Sequence, residues 1–299
     1  FLSLSFSKSP QKSNEGYMAR PSKDPNLSAD ISFLDVNSFA QDPLGYMWIA
    51  TLGGLNKYNG YDFRHFSHNP SDSTSLCHDF VFSLLIDSSQ NFWVGTANGI
   101  SSFDLKTNRF SHYSGISTPV YSLFEDHNGQ IWAATPVGPG IVDKDKKTLI
   151  FPWNPMSVNL FWEDNSHRLY MGLNEERGLA VQIDSLTWEY YTLPGKRSVT
   201  SMYADPQGIW WLGTNAGIVL FDPLSHTFRD PAFPAPENAK LNRTQINFIK
   251  EIEPLKLLIG TTTEGFFYYD MMSKKIGHNT PARFNPSNSS QLHTCYINR

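Results

Sequence analysis

His65-x-x-His68 is the closest pair among nine histidines. Two imidazoles at that spacing begin a metal site, but such a site needs further Cys, His or carboxylate ligands, and none accompanies them in sequence. The pair reads as strand or surface histidines, and no metal is expected. Ser and His both occur, yet no Gly-x-Ser-x-Gly elbow presents a nucleophile. No glycine-rich loop leads into a helix to cradle phosphate. Aspartates recur at Asp42, Asp87, Asp126, Asp164 and Asp205. Evenly spaced carboxylates suggest calcium, but each opens a turn, often Asp-x-x-Gly as in Asp42 to Gly45, Asp126 to Gly129 and Asp205 to Gly208. There Asp hydrogen-bonds the turn backbone and Gly accepts a positive φ. No catalytic set emerges and no cofactor is expected.

The elements behind these residues are a repeat. Trp93-Val94-Gly95-Thr96 recurs as Trp48 to Thr51, Trp132 to Thr135, Tyr170 to Leu173, Trp211 to Thr214 and Leu258 to Thr261. The fourth slots fall at 51, 96, 135, 173, 214 and 261, spaced by 45, 39, 38, 41 and 47 residues. Such a period without a helical pattern marks the blades of a β-propeller. Each frame is strand B. Strand A precedes it as Val-x-x-apolar-x-x-Asp, from Val36/Phe39/Asp42 to Val199/Met202/Asp205; a sixth copy, Ile246/Ile249/Ile252, lacks the Asp. Strand C opens on Gly54, Gly99, Gly140, Gly178, Gly217 or Gly265. Strand D carries aromatics such as Phe63/Phe66, Phe110/Tyr113 and Trp188/Tyr191. The tryptophans in these slots are core by periodicity.

Six frames are complete, and the end of the chain restarts the unit. Asn285-Pro286-Ser287 and Leu292 match Asn69-Pro70-Ser71 and Leu76, and Ile297 falls where Val81 does. The expectation is an all-β, seven-bladed propeller of four-stranded antiparallel blades over residues 31–299, with the seventh blade truncated. Residues 1–30 form a leader, and the stretch around Tyr17 to Arg20 is expected to supply a closing strand.

Composition agrees with a large closed β fold. Hydrophobic residues make up 40% and charged residues 17% of 299, enough apolar material for a continuous core and too little charge for a disordered chain. Net charge is −4 with no basic run, which argues against nucleic acid as a partner. No apolar run reaches the ~20 residues that span a bilayer. The chain opens on Phe rather than Met, as a mature form or a fragment does, and Phe1 to Phe6 reads either as the tail of a signal peptide or as an unstructured leader. Cys77 and Cys295 are expected as free thiols.

On a propeller the D-to-A and B-to-C loops share one face, and recognition concentrates on loops held by a rigid scaffold. Directly after the strand A Val slot stand Asn37, Phe82, Tyr121, Asn159, Thr200 and Asn247, amides and aromatics suited to sugar hydroxyls and ring faces; ordinary channel lining is the alternative. The B-to-C loop Asn174-Glu175-Glu176-Arg177 is long and charged, and Pro136 to Pro139 is its stiff counterpart in the preceding repeat. Lys196, Arg197 and Arg243 lie in D-to-A loops, where an Arg fork suits a carboxylate or sulfate. The candidate ligand-binding residues are Tyr121, Asn159, Asn247, Glu176, Arg177, Arg197 and Arg243.

The frame Gly45-Tyr46-Met47-Trp48-Ile49-Ala50-Thr51, followed by Gly54-Leu55-Asn56-Lys57-Tyr58-Asn59-Gly60-Tyr61, resembles the two-component regulator propeller repeat, and the resemblance runs over nearly the whole chain after about residue 30. It implies the periplasmic sensor region of a hybrid two-component histidine kinase of the Bacteroidetes type, anchored in the inner membrane and continuing into further domains that lie outside this chain. It implies a small ligand, typically an oligosaccharide, and signalling to a kinase elsewhere in the same protein, with a homodimer as a further partner. Two readings from other classes stay open: a propeller lyase or hydrolase, and a structural propeller that docks proteins.

Overall fold

One carboxylate per repeat ties the local turn to the core. Asp42 Oδ1 accepts from the backbone N–H groups of Leu44 and Tyr46, and its Oδ2 accepts from Trp48 Nε1 at 2.9 Å. The same latch joins Trp93 to Asp87 at 2.9 Å, Trp132 to Asp126 at 2.8 Å and Trp211 to Asp205 at 3.1 Å. In the fourth repeat Tyr170 replaces Trp and its hydroxyl donates to Asp164 Oδ2 at 2.9 Å. The sixth repeat has Ile252 and Leu258 in these slots, so donor and acceptor are lost together.

The computed structural model describes residues 27–28, 30–33, 35–115, 117–174, 177–184, 187–234 and 237–279. It forms six antiparallel sheets. Strands A to D of blade one are Val36–Gln41, Met47–Thr51, Gly54–Tyr58 and Phe63–Phe66, with Leu27–Ser28 added outside strand D. Blades two and three begin with strands A at Val81–Ile86 and Ser122–Glu125, and strands B at Phe92–Thr96 and Ile131–Thr135. Blades four, five and six place strands A at Val158–Glu163, Val199–Ala204 and Ile246–Glu253. Their strands B are Leu169–Leu173, Trp210–Thr214 and Lys256–Thr261.

A single blade has two apolar faces and is stable only when neighbours cover both. Trp48, Leu55, Val81, Phe92 and Phe103 fill the space between blades one and two. Trp93, Ile100, Val120 and Val142 fill the next interface, and Trp132, Phe161, Met171 and Trp188 the third. Tyr170, Val199, Trp210 and Phe221 join blades four and five; Trp211, Ile246, Ile259 and Phe267 join five and six. Among the described residues no apolar cluster joins blade six back to blade one. On that side of blade one Val36 and Met47 are half-buried, where their equivalents Val81 and Phe92 are fully buried.

The expected seven-bladed ring is corrected: the described residues form six blades of strands A to D, with Leu27–Ser28 as a fifth strand on the first. A four-stranded sheet requires the strand B frame in its interior, and the six sheets are built on the six frames from Trp48–Thr51 to Leu258–Thr261. The restart at residues 285–297 and the closing strand near residues 17–20 lie outside the described residues. Strand C of blade three opens at Gly138, not Gly140, so the blade-three loop is residues 136–137 and Pro139 pairs with Ala134.

Burial alone would raise the pKa of Asp87, but hydrogen bonds from Asn91 and Trp93 and from Lys144 of the next blade outweigh it and hold the pKa below its ordinary 3.8. Its ionised form therefore stabilises the fold above that value, and the contribution is lost as pH falls through the lowered folded pKa. Asp87→Ala strands a buried indole N–H and removes the anchor of Lys144; we expect a loss of about 3 kcal/mol in urea unfolding at neutral pH. The gap to the unmodified protein should narrow as the pH drops below 3.8.

Candidate functional site

The position after the Val slot is a β-bulge. Pairing with strand B jumps from Val36 to Ser38, Val81 to Ser83, Val158 to Leu160, Val199 to Ser201 and Ile246 to Phe248, leaving Asn37, Phe82, Asn159, Thr200 and Asn247 unpaired. A bulged residue is re-aimed out of the ladder. Asn37 Nδ2 reaches Val81 O at 2.8 Å, Asn159 Nδ2 reaches Val199 O at 2.9 Å, and Thr200 Oγ1 reaches Ile246 O at 2.6 Å. Two amides and one hydroxyl of this row thus tie strands A of blades one, four and five to the next blade. Asn247 turns to its own blade, its Oδ1 accepting from Thr262 Oγ1 at 2.9 Å. Phe82 and Tyr121 meet edge to face at 5.9 Å, and Tyr121 is exposed.

A second row shapes the B-to-C loops. Thr51, Thr96, Thr135, Thr214 and Thr261 each donate from Oγ1 to the carbonyl of the glycine that opens or precedes strand C, and accept from an N–H inside the loop. These contacts hold the loops short: residues 97–98 in blade two, 215–216 in blade five. Blade four carries buried Leu173 in this slot, which has no hydroxyl to cap the turn. Its loop runs over residues 174–178; among the described residues Arg177 N and Gly178 N donate to Asn174 O, and Leu173 N donates to Gly178 O.

A hollow of about 600 Å³ opens beside that loop, lined by Pro155, Met156, Ser157, Leu173, Asn174, Arg177 and Ser198. It combines a D-to-A loop on either side with the long B-to-C loop between them. The Arg177 guanidinium lies 5.2 Å from the Tyr190 ring centre, and Tyr190 Oη is 3.7 Å from Met156 Sδ. An Arg fork, an amide and two hydroxyls therefore line one space, with Tyr190 behind Arg177, a set that suits a hydroxyl-rich ligand with an anionic group. A second hollow, about 380 Å³, involves His68, Asp72, Cys77 and His112 on the same face. Its polar groups are engaged by neighbouring residues: His68 Nδ1 meets Leu76 O at 2.7 Å, and Asp72 accepts from Thr74 at 2.7 and 2.8 Å.

Of the sequence-selected residues, Arg177 lines the larger hollow. Asn159 Nδ2 bonds to the neighbouring blade, and Tyr121 and Asn247 lie at the start of strand A in blades three and six. Arg197 pairs with Asp230 at 3.7 Å across the rim of blade five. Arg243 is exposed beside the short helix Glu237–Leu241, in the loop that leads into blade six. Glu176 lies outside the described residues. Met156, Ser157, Asn174, Tyr190 and Ser198 were not selected from sequence; Leu173, where the five other frames carry Thr, is the signal that could have found them. His65 and His68 do not converge: His65 Nε2 meets Asp30 O at 2.9 Å while His68 turns to Leu76. Since the bulge row acts between blades, Asn159→Ala and Thr200→Val should each lower stability by about 1 kcal/mol in urea unfolding.

The comparisons agree with this geometry. The model of the two-component regulator propeller family matches residues 75–98, 114–136 and 192–216, the strand A and B halves of blades two, three and five. A histidine kinase P4 of Formosa agariphila is 41% identical over 46 residues, which cover 15% of this chain and 3% of that protein. The extracellular domain of a protein described as a hybrid two-component system of B. thetaiotaomicron superposes with a TM-score of 0.72 at 24% identity, over 87% of this chain and 37% of that one. This chain therefore spans little more than a third of that domain. A virginiamycin B lyase of Staphylococcus aureus shares the fold with a TM-score of 0.64 at 14% identity, over 86% of this chain and 89% of that one. No helix among the described residues is long and apolar enough to cross a membrane. In blades two, three and five, this chain carries the repeat of the two-component regulator propeller family.

Proposed function

We propose that this propeller is an extracytoplasmic ligand-sensing module of a hybrid two-component sensor, and that its ligand is an oligosaccharide held in the hollow of blade four. The observation that carries the reading is the lapse of the loop-capping Thr at Leu173, which opens a polar space under Arg177 on an otherwise tightly capped face. The family repeat and the likeness to an extracellular sensor domain support the sensor role. Signalling to a kinase passes through further domains of the parent protein, with a homodimer as the assembly that relays it. The lyase likeness supports an enzyme less well, because the described lining of the hollow offers neither an imidazole nor a carboxylate for proton transfer.

Thermal-shift screening against neutral and acidic oligosaccharides tests this. Ligand at a hundredfold excess over Kd should raise the Tm by roughly 5 °C. Arg177→Ala should abolish the shift, and Arg243→Ala, on another blade, should leave it intact. A shift indifferent to Arg177→Ala would move the site elsewhere; turnover of the sugar would make the protein an enzyme.

A further inference from the structure

On the opposite face, where the A-to-B turns lie, His127, Glu163 and His167 converge. Glu163 ends strand A of blade four and reaches back to the turn of blade three. Its Oε2 accepts from the His127 backbone N–H at 3.0 Å, and its Oε1 lies 2.5 Å from His127 Nδ1. His167 comes from the turn of blade four itself and stacks on His127, ring centres 4.2 Å apart at 27°. One potential ligand atom from each residue lies within 4.8 Å of the other two.

The repeat shows that the turns do not ask for these imidazoles. Between blades two and three the same clamp is made by Glu125, which accepts from Ser88 N at 2.7 Å and Ser88 Oγ at 2.6 Å. A carboxylate and a small donor are enough to tie the blades. The slot of His127 holds Pro43, Ser88, Asn165 and Pro206 elsewhere; the slot of His167 holds Gly45, Gln90, Gly129 and Gly208. That second slot has positive φ in all five blades, +63° at His167, a region glycine enters freely and histidine enters with strain.

We propose that His127, Glu163 and His167 bind a divalent transition cation of the zinc class and so bridge blades three and four. Two imidazole nitrogens and one carboxylate oxygen match the borderline-soft preference of Zn²⁺. The backbone N–H of His127 orients the carboxylate through Oε2 and leaves Oε1 for the ion, the outer-shell support that metal-binding carboxylates use. On binding, His127 gives up its Nδ1 proton and carries its ring proton on Nε2, so that a neutral imidazole and an ionised carboxylate face the cation. Tetrahedral bonds of about 2.0 Å bring ligand atoms to roughly 3.3 Å from one another. His127 and His167 are both exposed and have room to rotate inward by that amount. Three protein ligands leave one position open, for water or for a carboxylate of a neighbouring domain.

The test is calorimetric titration of Zn²⁺ alone into the untagged, metal-stripped chain, in chelator-free buffer. One ion per chain should bind with micromolar or tighter Kd. His167→Gly installs the residue that three other blades use, and His127→Ser installs the clamp of blade two, so both variants keep the turn and the fold. Each should weaken binding at least ~10-fold, as should Glu163→Gln, while His65→Ala changes nothing. Absence of one-to-one binding to the unmodified chain, or binding unchanged in both His167→Gly and His127→Ser, would overturn the proposal.

Discussion

The propeller depends on a carboxylate that serves two masters. In each latched blade the Asp closes the A-to-B turn with one oxygen and fixes the strand B indole or phenol with the other. A turn is local, but Trp48, Trp93, Trp132, Tyr170 and Trp211 belong to the interblade core, so one side chain couples the register of a hairpin to the packing of its neighbour. Burial makes the arrangement all-or-nothing. A buried carboxylate without its donors is costly, and so is a buried indole N–H without an acceptor. Blade six fits this constraint, since it drops both partners at once and fills the slots with Ile252 and Leu258. Blade four fits it too: burial and the bond to Asp164 push the Tyr170 phenol well above the ordinary range, keeping it a neutral donor.

With the frame fixed this way, function is free to vary only where a repeat slot is released. The bulge row of Asn37, Asn159 and Thr200 is not released, because its side chains hold blades together. The Thr row is released once, at Leu173, and the hollow beside Arg177 is the result. On the other face, the turn slots are released at His127 and His167, where two imidazoles meet the interblade Glu163. The two proposed sites, one on each face, thus both fall where the repeat departs at single slots.

The period and frame were readable from the chain because strand B pairs with its own strands A and C, making every blade a local unit. The six Trp, Tyr or Leu frames, the turn role of the repeated Asp and the core role of Trp132 and Trp188 followed from spacing alone. The blade count did not, since a restart at Asn285 shows the start of a pattern without the strand B frame that a sheet requires. The role of Asn159 between blades was not legible, because a bulge is invisible in sequence and nothing there shows that its amide reaches the next blade's carbonyl. The His127–Glu163 contact escaped for a similar reason. Its members lie 36 residues apart and meet only across a blade interface, whereas the adjacent pair His65 and His68 diverges.

The latch itself is most directly tested by hydrogen exchange at the tryptophan indole N–H groups, followed by NMR on the folded protein. Trp48, Trp93, Trp132 and Trp211 donate to a carboxylate, whereas the buried indole nitrogens of Trp162 and Trp188 have no hydrogen-bond partner. The account predicts that the four latched protons exchange only through unfolding, and markedly more slowly than those of Trp162 and Trp188. Equal rates for both groups would contradict it, and would mean that packing alone, without the Asp latch, holds the blades in register.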